Sequence, residues 1–143
     1  MTSYIVKDLI PHREPILLVD EIVEFKQDEL LKATRYFAND DPAFTGHFPG
    51  FPVLPGVLSI EALAQAGACF VNLNQGKTAD ESLFFFMSVE SAKFRNPVMP
   101  NTTLNLDVDL IKQRRDVYKF HGIASANGKK VTEAIFTAKW APK

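Results

Sequence analysis

The chain of 143 residues has a single cysteine, Cys69, and only three histidines, at positions 12, 47 and 121. One thiol cannot close an intrachain disulfide, which fits a reducing compartment. Cys69 lies inside an apolar run and reads as a small buried hydrophobe rather than a reactive thiol. His12, His47 and His121 have no paired spacing, so no metal site is expected. Neither sign of charge is in surplus: 16 Lys and Arg against 17 Asp and Glu give a formal net charge of -1. A nucleic-acid binder carries a basic excess, and this chain shows none overall. The opening Met1-Thr2-Ser3-Tyr4-Ile5 lacks a basic region followed by an apolar core, so no signal peptide is expected, and a cytoplasmic location is. The longest apolar stretch, Val57 to Val71, is interrupted by Glu61 and Gln65 and makes a poor membrane span. There is no internal repeat and no low-complexity segment.

What is present is a globular composition, 46% hydrophobic, long enough for a core and read as one domain over residues 1–143. Residues 2–9 are read as a short helix ended by Pro11. Ile16 to Phe25 and Glu29 to Ala38 are read as strands of a hairpin turned at Lys26-Gln27-Asp28, and Asn39-Asp40-Asp41-Pro42 as a break. Pro55 suits the first turn of a helix. The run from Pro55 to Leu73 is apolar on nearly every face, the mark of a buried helix, and Asn74-Gln75-Gly76 stops it. Leu83 to Met87 and Val89 to Phe94 look like strand. Leu104 to Leu110 alternates apolar and polar residues, as a half-buried strand does. Asn127-Gly128 signals a type I′ hairpin leading into Val131 to Trp140. A helix this apolar needs a sheet around it. One curved sheet cannot cover a cylinder on all sides, so a homodimer is expected.

The window Thr45 to Gln65 carries the chemistry. His47 stands in a loop stiffened by Pro49, Pro52 and Pro55. Glu61 is a lone carboxylate in the apolar helix. An imidazole titrates near neutrality, so a neutral base is available at pH 7. A carboxyl group stripped of water favours its protonated form. Together they make a base and an acid for proton transfer near an apolar surface. The competing readings are a loop histidine bonded to backbone, and a Glu61 on an exposed helix face or in a structural hydrogen bond. Gln65, one turn on, has the spacing to orient the Glu61 carboxylate. His12 and Arg13 are read as structural. His121 is read as exposed or satisfied.

His-Phe-Pro-Gly at 47–50 and Pro-Gly-Val-Leu-Ser-Ile-Glu-Ala-Leu-Ala-Gln at 55–65 resemble the 3-hydroxyacyl-(acyl-carrier-protein) dehydratases of fatty-acid synthesis, FabZ type. Leu9 to Asp20, Ala92 to Val98, Phe120-His121-Gly122 and Ala134-Ile135-Phe136 are similar to that family's flanking motifs. The resemblance implies an α+β hot-dog fold, a curved antiparallel sheet wrapped around a long central apolar helix. It implies loss of water from a (3R)-3-hydroxyacyl chain to give the trans-2-enoyl thioester, with His47 as base, Glu61 as acid and no cofactor. It further implies a dyad formed across a dimer interface, a Gly56 N–H polarising the thioester carbonyl, and an acyl carrier protein bearing a phosphopantetheine-linked chain as partner. A trimer of dimers is the implied larger assembly.

A tunnel lined by Phe48, Val57, Leu58, Phe84 and Phe86 is one reading of those side chains, and plain core is the other. Lys93, Arg95, Lys112, Arg114 and Arg115 are read either as a docking patch for the acidic carrier or as solvated strand ends. The chain departs from the family with Asn101-Thr102 in place of Gly-Asp, Ser88 in place of Gly and Leu54 in place of Met. Two rival functions are a hot-dog acyl thioesterase, separable by hydrolysis of a saturated acyl thioester, and a non-catalytic acyl-binding module, separable by full activity after His47→Ala.

Overall fold

The computed structural model describes residues 3–143. Six antiparallel strands form a single sheet in the order β1-β2-β4-β5-β6-β3. They are β1 (Glu21–Lys26), β2 (Leu30–Phe37), β3 (Ser82–Phe94), β4 (Thr102–Arg114), β5 (Val117–Ala126) and β6 (Lys129–Pro142). Three helices accompany them: α1 (Val6–Leu9), α2 (Pro42–Thr45) and α3 (Gly56–Gln75).

The 20 residues of α3 lie against the sheet, with Ala62, Leu63, Ala66, Cys69, Phe70 and Val71 fully buried. Leu104, Leu106, Val108, Phe120, Ala124 and Phe136 supply the other side of this core. Period-two burial along β5 is unbroken, half-buried residues alternating with buried ones from Val117 to Ala126, so one face of the strand packs on α3. The helix is long and apolar enough to span a membrane by composition alone, yet two-thirds of its apolar window is inside the molecule. The expected sheet-wrapped helix is thus present.

Several boundaries differ from the sequence reading. Ile16 to Asp20 is not strand. Leu17, Leu18 and Val19 are buried in coil, where the Gln65 side chain takes up the Leu18 N–H and the Ile16 carbonyl. The two strands expected around Ser88 are one strand, β3, with register shifts after Phe86 and Val89. The extra residues of the bulges explain the broken alternation. Helix α2 was not foreseen, although Asp41-Pro42 is a good start: the Asp41 side chain accepts the Ala43 N–H at 2.9 Å. Of the helix expected over 2–9, the structure shows α1 alone, and residues 1–2 lie outside the described range. Asn127 and Gly128 both have positive φ, 53° and 76°, as a type I′ turn requires.

Asn101, which stands where the resembling family has glycine, has φ 61°. Asparagine is the side-chain-bearing residue that tolerates this region best. Its carboxamide oxygen also accepts the Asn39 N–H at 3.2 Å.

Candidate active site

His47 is held by a small closed loop. The loop begins where Arg35 donates to Asp41 at 2.7 Å and to Asp20 at 3.2 Å, tying the start of α2 to the sheet. Phe48 and Phe51 exchange backbone hydrogen bonds at 2.9 and 2.8 Å. Pro49 and Gly50 occupy the two central positions, Gly50 at φ 78°, which is the type II turn pattern and needs a residue without a Cβ there. The Val53 N–H donates to the His47 carbonyl at 2.8 Å. The Val53 carbonyl in turn lies 2.9 Å from Nδ1 of the ring. A carbonyl can only accept, so Nδ1 carries a proton and Nε2 keeps a free lone pair. Phe48 stacks on the imidazole with centroids 4.1 Å apart.

Glu61 lies on the side of α3 that faces β3 and the coil after α1. A cavity of about 60 Å³ opens there, lined by His12, Glu61, Ala64, Gln65, Phe84 and Phe86. The Glu61 side chain is 28% exposed, enough to meet a molecule entering the cavity. Gln65, only 1% exposed, has no freedom to turn. Its Oε1 accepts the Leu18 N–H at 2.7 Å and its Nε2 donates to the Ile16 carbonyl at 2.8 Å. The second Nε2 proton therefore points to Glu61 Oε2, 2.7 Å away. The orienting role expected for Gln65 has this geometry. His12 also reaches the site, its Nε2 at 3.9 Å from Glu61 Oε2. The sequence offered no signal for that approach, because nothing in a local pattern joins positions 12 and 61.

At the entrance to α3 the Pro55 side chain makes no capping bond; the Leu58 N–H donates to the Pro55 carbonyl at 3.0 Å, and the Gly56 and Val57 N–H groups stand at the open end of the helix. Gly56 is required by close approach: a Cβ there would stand 2.8 Å from Cδ1 of Phe94. Tight packing is therefore a fact at Gly56, beside any role for its N–H. Val57 is 68% exposed and Phe48 is also exposed. Phe84 and Phe86 line the Glu61 cavity.

The structure does not join all the expected site residues within one chain. Among the described residues no hydrogen bond or ion pair links His47 to Glu61. The five basic residues read as one patch separate into two groups. Strand register puts Lys93 level with Glu133, Ile123 and Asp107, whereas Arg114 pairs with Val117. Seven residues of strand rise, roughly 23 Å, lie between those levels. Arg95 is in addition paired with Glu133 at 3.1 Å. His121 Nε2 donates to Glu133 Oε2 at 2.8 Å, and the ring is satisfied as expected. Hydrogen bonds from His121 and then Arg95 hold the Glu133 carboxyl down at about 2. Burial pushes the Cys69 thiol up to about 12, so it is inert. No cluster of metal-ligating side chains occurs among the described residues.

Comparison with known proteins places this arrangement. The FabA-like domain model matches residues 10–135. A protein of Haemophilus influenzae (strain Rd) named 3-hydroxyacyl-(acyl-carrier-protein) dehydratase FabZ is 46% identical over 127 residues, 88% of this chain and 84% of that protein. One of the same name from Aliivibrio fischeri is 42% identical over 129 residues, 90% of this chain and 86% of its own length. Among solved structures, a chain of the dehydratase heterocomplex ApeI:P from Xenorhabdus doucetiae superposes with a TM-score of 0.83 at 17% identity, over 100% of this chain and 93% of that one. A mutant of the thioesterase PA1618 from Pseudomonas aeruginosa matches with a TM-score of 0.64 at 18% identity, over 86% of this chain and 81% of that one. Those two likenesses concern the fold. With residues 10–135 matched, from the coil after α1 through the helix and into the last strand, the chain belongs to the FabA-like domain family, alongside the FabZ dehydratases.

Proposed function

We propose that the protein removes water from 3-hydroxyacyl chains carried as thioesters on acyl carrier protein, in fatty-acid or related acyl-chain synthesis in the cytoplasm. The observation that carries the reading is the Glu61 carboxyl group, fixed by Gln65 at a cavity with Phe84 and Phe86 among its walls. An acid held in place beside aromatic walls suits a greasy acyl chain bearing one hydroxyl group.

The roles follow from the proton inventory. His47 Nε2 takes the proton from the α-carbon. The electrons pass toward the thioester carbonyl, whose growing negative charge is met by the Gly56 N–H at the positive end of α3. Glu61 delivers its proton to the β-hydroxyl oxygen, the β-carbon–oxygen bond breaks, and water leaves. The α–β carbon bond becomes double and the thioester stays intact. No step needs a metal or a redox cofactor.

His47 and Glu61 meet, on this proposal, between two copies of the chain. Support comes from β3, a 13-residue strand at the edge of the sheet. It leaves Phe85, Phe86, Met87 and Val89 exposed. A long apolar edge is a template for pairing. Antiparallel pairing of β3 with its own copy is isologous, and yields two equivalent sites. Hydration of a crotonyl thioester, followed spectroscopically, tests the function. Wild-type protein is expected to turn over while His47→Ala and Glu61→Gln do not. Hydrolysis of a saturated acyl thioester in place of hydration would contradict the assignment.

A further inference from the structure

His12 is the second histidine tied to this chemistry, and the reaction as set out above does not use it. It sits in the coil between α1 and β1. Its Nδ1 is buried and has no hydrogen-bond partner among the described residues. An unpaired N–H inside a protein is less tolerable than an unpaired lone pair. The ring proton is therefore assigned to Nε2, the nitrogen 3.9 Å from Glu61 Oε2. Gln65 presents a second donor to the same oxygen at 2.7 Å, and cannot reverse without losing its bonds to Leu18 and Ile16. Glu61 Oε1 has no hydrogen bond among the described residues.

We propose that His12 is a positioning residue for the acid: neutral, with its proton on Nε2, it joins Gln65 in keeping Oε2 an acceptor, so that Oε1 carries the proton Glu61 delivers. The inference rests on the acid role proposed for Glu61. When that proton leaves Oε1, the new charge is shared with Oε2, where Gln65 already donates at 2.7 Å and the His12 Nε2–H lies 3.9 Å away. The His12 separation is long for a hydrogen bond, and catalytic hydrogen bonds tighten from the unliganded state. Keeping His12 neutral suits the role, and its surroundings do so. Burial draws its pKa below that of an ordinary imidazole; Glu61 pulls upward and Arg13 downward, each less strongly. The remaining walls, Ala64 and Gln65 of α3 and Phe84 and Phe86 of β3, bring no ionisable group.

The test compares His12→Phe, which keeps a ring but loses the donor, with His12→Gln, which keeps an N–H donor. In crotonyl thioester hydration, His12→Phe is expected to lose about tenfold in kcat, the worth of one hydrogen bond to a charged group. KM should stay within about twofold, since the contact acts in the transition state. His12→Gln should recover most of the loss. By NMR the His12 C2–H should titrate below an ordinary imidazole, as burial of the ring requires. Wild-type kcat in His12→Phe, equal losses in the two variants, or a His12 that titrates at or above an ordinary imidazole each overturns the proposal. If circular dichroism shows His12→Phe unfolded, the glutamine variant and the titration decide. Full activity in Glu61→Gln would overturn the acid role itself, and the inference with it.

Discussion

Nδ1 of His47 donates to the carbonyl oxygen of Val53 at 2.9 Å, and this one contact fixes which ring nitrogen is free to act as base. The loop is closed by backbone bonds that do not involve the ring. His47→Ala should therefore leave the fold intact while lowering kcat by at least about a hundredfold, the usual worth of a placed general base. Circular dichroism and crotonyl thioester hydration on one preparation check both halves.

Gly56 and Phe94 are coupled by contact. Gly56→Ala forces a methyl group to 2.8 Å from the Phe94 ring, and overpacking of this kind costs about 1–3 kcal/mol. Phe94→Ala makes room. In urea melts the double variant should be more stable than the sum of the two single losses predicts, a coupling of about 1 kcal/mol. Strict additivity would show that the ring moves aside freely.

Asn101 should resist replacement by alanine more than by glycine. At φ 61° a Cβ without a compensating polar group is strained, by about 1–2 kcal/mol. Asn101→Ala should lower the unfolding free energy in urea by that amount. Asn101→Gly should fall by less, losing the Asn39 contact but not the backbone conformation.

Glu133 makes acid stability traceable to a single group. Its folded-state pKa is depressed, to about 2, by bonds from His121 and Arg95. A depressed carboxyl stabilises the fold above its unfolded value, and that contribution fades as pH falls toward the folded value. Wild type should exceed Glu133→Gln in Tm at neutral pH, and the gap should close progressively below about pH 4.5. The Glu133 side chain is still partly open to solvent, so added salt should narrow the gap as well. A gap independent of pH would show that the charge is not what matters.

Much of the fold was legible because its signals are local. Alternation marked β4 from Leu104 to Leu110, Asn127-Gly128 marked the last hairpin, and Pro55 with Gly76 bracketed α3. Helix α2 was missed: Asp41-Pro42 reads as a break, and the helix's four residues bury little beyond Phe44. What the sequence hid depends on distant partners. Leu17 to Val19 have the composition of a strand, yet Gln65 satisfies the backbone on either side of Leu17 in place of a neighbouring strand. The bulges in β3 follow from its pairing with β6, not from its own residues. Lys93 and Arg114 look alike as basic strand ends, and only register places them at different levels of the sheet. At the site, Glu61 and Gln65 were visible as neighbours on one helix face. His12 was not, since its place beside Glu61 depends on how the coil after α1 packs on α3.

The claim on which the rest depends is that the base and the acid of each site come from different copies of the chain. Inactive His47→Ala and inactive Glu61→Gln proteins can be mixed in equal amounts, allowed to exchange subunits, and assayed by crotonyl thioester hydration. Half of randomly reassorted dimers are mixed, and each mixed dimer regains one intact site, so activity should return to roughly a quarter of the wild-type value. A mixture that exchanges subunits yet stays as inactive as its components would contradict the shared site.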